Sequence, residues 1–513
     1  MGFDLEREND PETLRQAARL LEAENRRLVA RVGELIRELL AAQGKDKLAL
    51  QLELDKLQGE LEKKNKMLFA PSSERRTGDD GVTAEADSTD TSSDEKAPAR
   101  GHGRRQQKNL RVIVREHTLD EADRACTTCG GTLSLMGDQV EESEEIDVIA
   151  REFVIRKHVR RKYRCACGAC VETAPAPRRL LRGGRYSIGF AIAVAISKYA
   201  DHLPLERQAR IMKREGLEID SQTLYDQIEA LARLVWPAYD RLGASLLEEP
   251  LLFVDETPWP LLGKAQQSTR WHAWVMASLT SAYYEIHDTR GIAGAKSLLA
   301  GFRGIGVTDG YVVYDALAAR WPHLRLAACW AHIRRKFVDA ESAFPKETEH
   351  ILALIRDLYA IEARPPPGSD GLAERHRLRN TESRAVLARI QDFCRNVQCT
   401  PGSRLALAID YMTGLWSKAT LFLDHARVPL DNNTAERALR GLVLGRKNHY
   451  GSKSRRGTEV AAVFYSLIES AKLSGVEPAR YLRIAIDAAL DGREPPLPFE
   501  VAISDAAADA IPA

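Results

Sequence analysis

Two hydrophobic patterns divide the chain. Along residues 11–68 apolar residues recur every seven positions, whereas from residue 251 onward short apolar runs alternate with helical patterns. Seven-residue spacing predicts a coiled coil, and the later pattern predicts an α/β region. The heptad core positions are Leu14, Leu21, Leu28 and Leu35 on one side and Ala18, Asn25, Val32 and Leu39 on the other.

The N-terminal helix is predicted to pair with a second copy of the chain. Its outer positions are highly charged, and a single Asn at a core position, Asn25, favours a two-stranded parallel form. We therefore interpret residues 11–68 as a coiled-coil dimerisation helix that makes a homodimer. The alternative is a helix packed on the protein's own body.

The α/β region begins with an apolar run, Leu251–Val254, which carries Asp255 at its end, and Pro258 is expected to stop this strand. Further strands are predicted at Arg270–Ser278, Ala282–His287, Ile305–Thr308 and Leu324–Cys329, with helices at Gly291–Ala300 and from Trp330. Three strands, a helix, then strands alternating with helices is the element order of a ribonuclease-H-like fold. Its first and fourth strands are neighbours, so Asp255 and Asp309 are expected to meet at one edge.

A third acid is expected on a helix that begins near Asp431. Glu436 shares one face of this helix with Asn432 and Arg440. Three carboxylates suit two Mg²⁺ ions, with Mn²⁺ as an alternative, because hard cations take oxygen ligands and a metal pair catalyses phosphodiester cleavage. The alternatives weighed against this set are Asp315 in place of Asp309, Glu256, which strand alternation directs to the opposite face, and a solvated helix carrying Glu436.

Five sequence blocks carry a family resemblance. VDETPW, VTDGYVVYDAL, CWAHIRRKF, NNTAERALR and RKNHYGSKS resemble, in order, blocks of bacterial transposases of the insertion sequence 66 family. The resemblance implies a DDE-type transposase with Asp255, Asp309 and Glu436 as its acidic triad and a helical insertion at about 340–430. It also implies small accessory transposition proteins as partners.

Other residues of these blocks are candidates for contact with the substrate. His332 follows the fifth strand and is assigned a catalytic contact with the scissile phosphate or with metal-bound water; a structural role is the alternative. Cations near the acids suit phosphate contacts. The assigned cations are Arg335, Lys336, Arg437, Arg440, Arg446 and Lys447.

The number and clustering of the cysteines predict a protein of a reducing compartment. The chain has 513 residues, a net charge of +1 and eight cysteines, five of which are clustered. Clustered cysteines favour metal binding over disulfides. The charged N-terminus does not resemble a signal peptide and no apolar run reaches membrane length, so we expect a cytoplasmic protein without membrane contact, associated with the nucleoid when bound to DNA.

Between the coiled coil and the α/β region the sequence predicts three further segments. Residues 72–108 form an acidic and then basic linker that is expected to be disordered. Residues 109–178 form a zinc module, in which four of five cysteines bind a structural Zn²⁺ around a hairpin of Glu144–Ile149 and Phe153–Tyr163. The five are Cys126, Cys129, Cys165, Cys167 and Cys170. Geometry favours Cys167 with Cys170, whereas the family resemblance favours Cys165.

Residues 185–245 read as three helices, Ser187–Tyr199, Pro204–Glu215 and Ser221–Leu234, the last capped by Ser221. A helix, a Gly-containing turn and a capped helix are typical of helix-turn-helix DNA-binding regions. Gln222, Tyr225 and Gln227 are then the candidate base contacts. A small bundle that links the zinc module to the catalytic domain is the alternative.

These expectations combine into a multidomain α/β protein, with a ribonuclease-H-like catalytic domain at 250–460 and C-terminal helices and a tail at 461–513. The expected function is that of a DNA transposase that cleaves transposon ends in a metal-dependent reaction and transfers the 3′-hydroxyl ends to target DNA. The alternative is a catalytically silent, zinc-containing, dimeric DNA-binding regulator derived from a transposase.

Overall fold

The computed structural model describes residues 151–164, 171–181, 183–262 and 270–509, with six further single positions at 27, 31, 34, 112, 114 and 118. The chain divides into two units, and the unit Pro71–Arg151 is described at only four positions. The other unit contains every element named below. The predicted coiled coil, apart from helical residues at 27, 31 and 34, the linker, the Glu144–Ile149 strand and all five zinc-module cysteines lie outside the described residues.

The elements follow one another along the described chain in this order. The strands are β1 Lys162–Arg164, β2 Val171–Thr173, β3 Leu251–Pro260, β4 Arg270–Ala277, β5 Ala282–His287, β6 Ile305–Thr308 and β7 Arg325–Ala328. The first helices are α1 Ile188–Tyr199, α2 Leu205–Arg214, α3 Ser221–Leu247, α4 Ile292–Leu298, α5 Val312–Ala318 and α6 Trp330–Val338. The later helices are α7 Pro345–Glu362, α8 Leu372–Leu378, α9 Arg384–Asn396, α10 Arg404–Gly414, α11 Trp416–Ala419, α12 Asn433–His449, α13 Arg455–Leu473, α14 Pro478–Leu490 and α15 Pro498–Asp509.

Five strands form a mixed sheet in the order β5-β4-β3-β6-β7. The pairs β5–β4 and β4–β3 are antiparallel, and β3–β6 and β6–β7 are parallel. The strands predicted from the apolar runs are all present. One expectation was wrong, because β3 continues through Pro258 to Pro260. Pairing with β6 ends at Phe253, so the later part of β3 has a neighbour on one side only, where a proline lacking its N–H is tolerated.

Helices cover both faces of this sheet, because side chains alternate along each strand. Tyr284 of β5 contacts α12 and α13, since its hydroxyl donates to the Ala438 carbonyl and its amide donates to the Ser466 hydroxyl. Trp274 of β4 lies on the other face, against Gly294 of α4 and the ring of Tyr314 in α5. The result is a mixed α/β unit whose C-terminal part is rich in helices.

The helices before the sheet depart from prediction at two points. The third helix was expected to end at Leu234 but runs to Leu247 through Pro237, and its far half buries residues such as Val235 and Leu242 in the core. Packing of that apolar face outweighs the cost of the proline. The cap was also misassigned, because Asp220 rather than Ser221 accepts from the Thr223 amide.

Two regions remain to be described, the zinc-module region and the long segment before Glu436. The predicted strand Phe153–Tyr163 was wrong over most of its length, since residues 151–161 are irregular and only Lys162–Arg164 pairs, with Val171–Thr173. Residues 345–423 contain helices, including a π-helical turn at Arg379–Ser383. Within the described part of the chain, each helix is either too short or too polar to cross a bilayer.

Candidate active site

Asp255 and Asp309 lie at the same edge of the sheet. In the parallel pairing of β3 with β6, Leu251 lies opposite Ile305 and Phe253 opposite Val307. Continued two residues further along both strands, this register places Asp255 opposite Asp309, which follows β6 directly. The neighbouring strands predicted from sequence therefore deliver both acids to one place.

The backbone around Asp309 is held firmly. Its carboxylate accepts from the Tyr311 amide at 2.9 Å, and its carbonyl accepts from the Tyr411 hydroxyl at 2.7 Å. Gly310 has a φ of +89°, and a Cβ on it would lie 2.9 Å from a methyl group of Leu415. The turn therefore requires glycine, and it fixes the direction of the Asp309 side chain.

Glu436 reaches the site through its neighbour Asn432. The Asn432 side-chain amide, fully buried, donates to the Val254 carbonyl at 2.9 Å, and its backbone amide donates to the Cys329 sulfur at 3.2 Å. These bonds attach the start of α12 to the residue before Asp255 and to the end of β7. Because Glu436 lies in the first turn of α12, this attachment brings it to the edge that carries the two aspartates.

Asp309 and Glu436 both lie within electrostatic range of Asp255. Burial, joined by the charges of Glu256, Asp309 and Glu436, raises the pKa of Asp255 to about 7, against the opposing effect of the bond from the Glu256 amide. Among the described residues, no lysine or arginine forms an ion pair with Asp255, Asp309 or Glu436. A concentration of negative charge that lacks an ion-pair partner among the residues described is suited to binding a cation.

His332 lies beside Glu436. Its Nδ1 approaches Glu436 Oε1 at 3.8 Å, and both atoms are buried without a hydrogen-bond partner. Burial, together with Arg335, lowers the pKa of His332. The imidazole is therefore neutral near pH 7 and leaves the charge of Glu436 uncompensated. Cys329, His332 and Glu436 have donor atoms within 4.8 Å of one another, and Asp255 and Asp309 are not part of that cluster.

The two alternative acids each have a basic partner. Glu256 is buried, and it accepts two bonds from the Arg290 guanidinium and one from the Tyr314 hydroxyl. Asp315 pairs with Lys418 at 2.6 Å. Both carboxylates are thus neutralised within the protein, in contrast to the three at the strand edge.

The predicted phosphate-binding cations lie on the two helices that carry His332 and Glu436. Arg335 and Lys336 are exposed on α6, with Lys336 over the Tyr411 ring, and α12 exposes three others. These three are Arg437, Arg440 and Lys447. Arg446 differs, because its guanidinium donates to Thr257 Oγ1 and to the Pro258 carbonyl, so it anchors α12 to β3.

The helix-turn-helix candidates are placed less favourably for contact with bases. On α3 Gln222 is exposed and donates to Asp226, whereas the Tyr225 hydroxyl is buried without a partner and burial raises its pKa to about 12. Gln227 is 5% exposed, so its predicted role in reading bases was wrong. α3 packs against α1, α13 and α14, in agreement with the alternative of a small bundle.

Several residues that shape the site carried no sequence signal of their own. Asn432 was expected only to share a helix face with Glu436, and Cys329 was expected only as the last residue of a strand. Their bond to each other spans 103 residues, and the bond from Asn432 to Val254 spans 178. Tyr411 belongs to a segment that was read only as helical insertion. Their placement depends on contacts between distant parts of the chain, which the local pattern does not encode.

Comparison with known proteins now places the chain. A family model described as Transposase IS66 family matches residues 183–460, more than half of the chain. A second model, described as the zinc-finger binding domain of transposase IS66, matches residues 123–168. The two matches cover the candidate active site and four of the five clustered cysteines.

Three relatives from Sinorhizobium fredii (strain NBRC 101917 / NGR234) are similar over most of their length. The uncharacterized protein y4jD is 33% identical over 395 residues, which cover 73% of this chain and 76% of the relative. The uncharacterized proteins y4hP and y4qI are 29% and 30% identical, and the aligned parts cover 72% and 67% of this chain and 71% and 67% of those relatives.

Proposed function

The chain belongs to the transposase IS66 family, and from that premise we propose that it cleaves DNA at transposon ends and joins the freed 3′-hydroxyl ends to target DNA. Membership of the family implies a DNA substrate and a transposase-type nuclease. The observation that carries the finer proposal is the gathering of Asp255, Asp309 and Glu436 from three separate elements, with no ion pair to a lysine or arginine in the part of the chain that the structure describes.

We assign the three acids to divalent metal. Their donors are carboxylate oxygens, and Glu436 Oε1 is buried without a partner, a donor set that fits Mg²⁺ or Mn²⁺. Bound metal of this kind supplies activation of the attacking oxygen and stabilisation of the leaving oxygen. The chain's own contribution is to hold the acids: the Asn432 bonds fix Glu436 against β3, and the Tyr411 and Tyr311 bonds fix Asp309.

The surroundings of the acids support contact with a DNA strand. Arg335, Lys336, Arg437, Arg440 and Lys447 extend from the two helices that flank the site, where cations neutralise backbone phosphates. His332 keeps its place as a proposed contact of the scissile phosphate. We also assign the mixed sheet to a ribonuclease-H-like core, which its strand order, antiparallel on one side of β3 and parallel on the other, supports.

Structural Zn²⁺ follows from the zinc-finger match. The matched range ends at residue 168, so it includes Cys126, Cys129, Cys165 and Cys167 and leaves out Cys170. We therefore propose those four as the ligands. Homodimerisation through residues 11–68, accessory transposition proteins and a cytoplasmic location stay part of the same proposal.

A nicking assay on labelled transposon-end DNA tests the cleavage reaction. Wild-type protein with Mg²⁺ should nick the DNA, and Asp309→Asn should nick it roughly a thousandfold more slowly, because a metal ligand contributes several kcal/mol to the barrier. DNA binding, measured in parallel by gel shift, should persist. Asp315→Asn is the matched control and should behave as wild type.

The same assay separates the second candidate function, a silent DNA-binding regulator. If the wild-type protein binds the ends but does not cut them, the helper proteins encoded beside such transposases are added. Continued absence of cleavage would favour the regulator and overturn the proposed chemistry.

A further inference from the structure

A second set of metal-binding groups lies beside the carboxylates and has a different chemistry. It consists of Cys329, which follows β7, His332 in the first turn of α6, and Glu436 in the first turn of α12. One donor atom from each lies within 4.8 Å of the others. The set offers one sulfur, one nitrogen and one oxygen.

Two of these donor atoms lack any partner. His332 Nδ1 and Glu436 Oε1 are both buried and 3.8 Å apart, and neither makes a hydrogen bond with any residue that the structure describes. Buried polar atoms in folded proteins nearly always have a partner. An imidazole nitrogen and a carboxylate oxygen that face each other without a proton donor between them are satisfied together by one cation.

The third donor, the Cys329 sulfur, accepts a hydrogen bond from a neighbouring backbone amide. The Asn432 amide donates to Cys329 Sγ at 3.2 Å, and the amides of His332 and Ala331 also stabilise the charged sulfur. Burial opposes this and raises the pKa of the thiol to about 11. A metal ion reverses the balance, since a coordinated thiol loses its proton.

We propose that Cys329, His332 and Glu436 bind one Zn²⁺ ion at a site distinct from the zinc finger. Thiolate, imidazole and carboxylate are the three ligand types of protein zinc sites, whereas Mg²⁺ favours oxygen alone. Glu436 belongs to this site and to the acidic triad. Zn²⁺ bound here therefore withdraws Glu436 from the Mg²⁺ site and inhibits cleavage, a consequence that rests on the proposed function.

Zinc stoichiometry tests the site without any DNA. Full-length protein is stripped of metal, dialysed against ZnCl₂ and analysed for zinc per chain. Wild type should hold one ion more than His332→Ala. His323→Ala is the matched control, because His323 is an exposed histidine that stacks on Trp321, and it should equal wild type. Equal zinc content in wild type and His332→Ala would overturn the proposal.

Two further measurements guard against a folding defect in the variant. Cys329→Ser removes the sulfur with little change in volume and should also lose one zinc, with Cys394→Ser as its control. In crystals of the full-length protein grown with ZnCl₂, an anomalous peak at the zinc edge should lie between His332 Nδ1 and Glu436 Oε1. An empty position in a map that shows the zinc finger occupied would refute the site, whatever the nicking assay gives.

Discussion

Asp255 of β3 and Glu362 are both partly withdrawn from solvent, but of these two only Glu362 has a cationic partner among the described residues. Arg379, 1% exposed, donates from Nε and Nη2 to Glu362 at 2.7 and 2.6 Å. Its remaining N–H groups donate to the carbonyls of Phe422, His425 and Val428. All five donors of the guanidinium have acceptors.

The contrast shows how this chain treats buried charge. At Arg379 a cation, an anion and three carbonyls form a closed set, so the charge holds the helical segment against the loop that leads to α12. At Asp255 the nearest charges have the same sign, and they raise its pKa. The acids at the strand edge therefore resemble a cation-binding site, whereas Glu362 and Arg379 form an ion pair that stabilises the fold.

The largest expected effect on stability comes from removing Arg379 from its hydrogen-bond network. Arg379→Ala leaves Glu362 and three carbonyls unpaired, and removal of one partner of a buried pair costs about 3–5 kcal/mol. Thermal unfolding should show a melting temperature lower by roughly 10 °C. Arg377→Ala is the matched control, because Arg377 forms an exposed pair with Glu374 that solvent screens, so its melting temperature should stay close to that of wild type. Equal losses in both variants would remove the distinction.

At the strand edge, removal of a charged group is expected to stabilise the fold rather than destabilise it. Asp255 has its pKa raised from 3.8 to about 7, so the folded state binds a proton that the unfolded state releases. In EDTA, stability should therefore fall as pH rises from about 4 to about 7 and then level off. Asp255→Asn should abolish this contribution and be more stable than wild type at pH 8 by about 1–3 kcal/mol.

Thermal unfolding across pH measures this effect, and Mg²⁺ provides its control. Added Mg²⁺ should raise the stability of wild type at pH 8, because metal replaces the missing counter-charge, and should not raise that of Asp255→Asn to the same extent. A variant that is less stable than wild type in EDTA at pH 8 would contradict the view that these acids repel one another.

The smallest effect is expected at Asp315, whose pair with Lys418 is partly exposed. Side-chain exposures are 22% for Lys418 and 41% for Asp315, so solvent screens the pair. Asp315→Asn should change stability by less than about 1 kcal/mol and leave the nicking rate unchanged. A large fall in nicking would place Asp315, rather than Asp309, in the catalytic set.

Sequence patterns predicted the sheet well, because each strand carries its own signal. Strands β4 to β7 were located to within one residue at each end, since a short apolar run bounded by polar residues marks a buried strand wherever it occurs. The order of those strands then sufficed to place Asp255 beside Asp309. Glu436, which lies 127 residues beyond Asp309 in the chain, was proposed from its helix face, and the family resemblance supported its assignment to the triad.

The same patterns failed where distant residues decide the outcome. Helix α3 passes through Pro237 because its far half packs on the core. Arg446 binds β3 although the sequence assigned it to phosphate contacts. The closed set around Arg379 was not anticipated, since one arginine in an Arg-rich helical segment looks like any other. These outcomes depend on which distant parts of the chain pack together, and a short stretch of sequence contains no information about that packing.

The hydrogen bonds of Asn432 also determine how early during synthesis and folding the site can form. They join three parts of the chain, at Val254, Cys329 and Asn432, across separations of 178 and 103 residues. Contacts of such long range form late in folding, because long loops must close first. A ribosome has to release the chain beyond Glu436 before the third acid can join the other two. Asp255 and Asp309 therefore remain without the third carboxylate while the 127 residues from Asp309 to Glu436 are being synthesised.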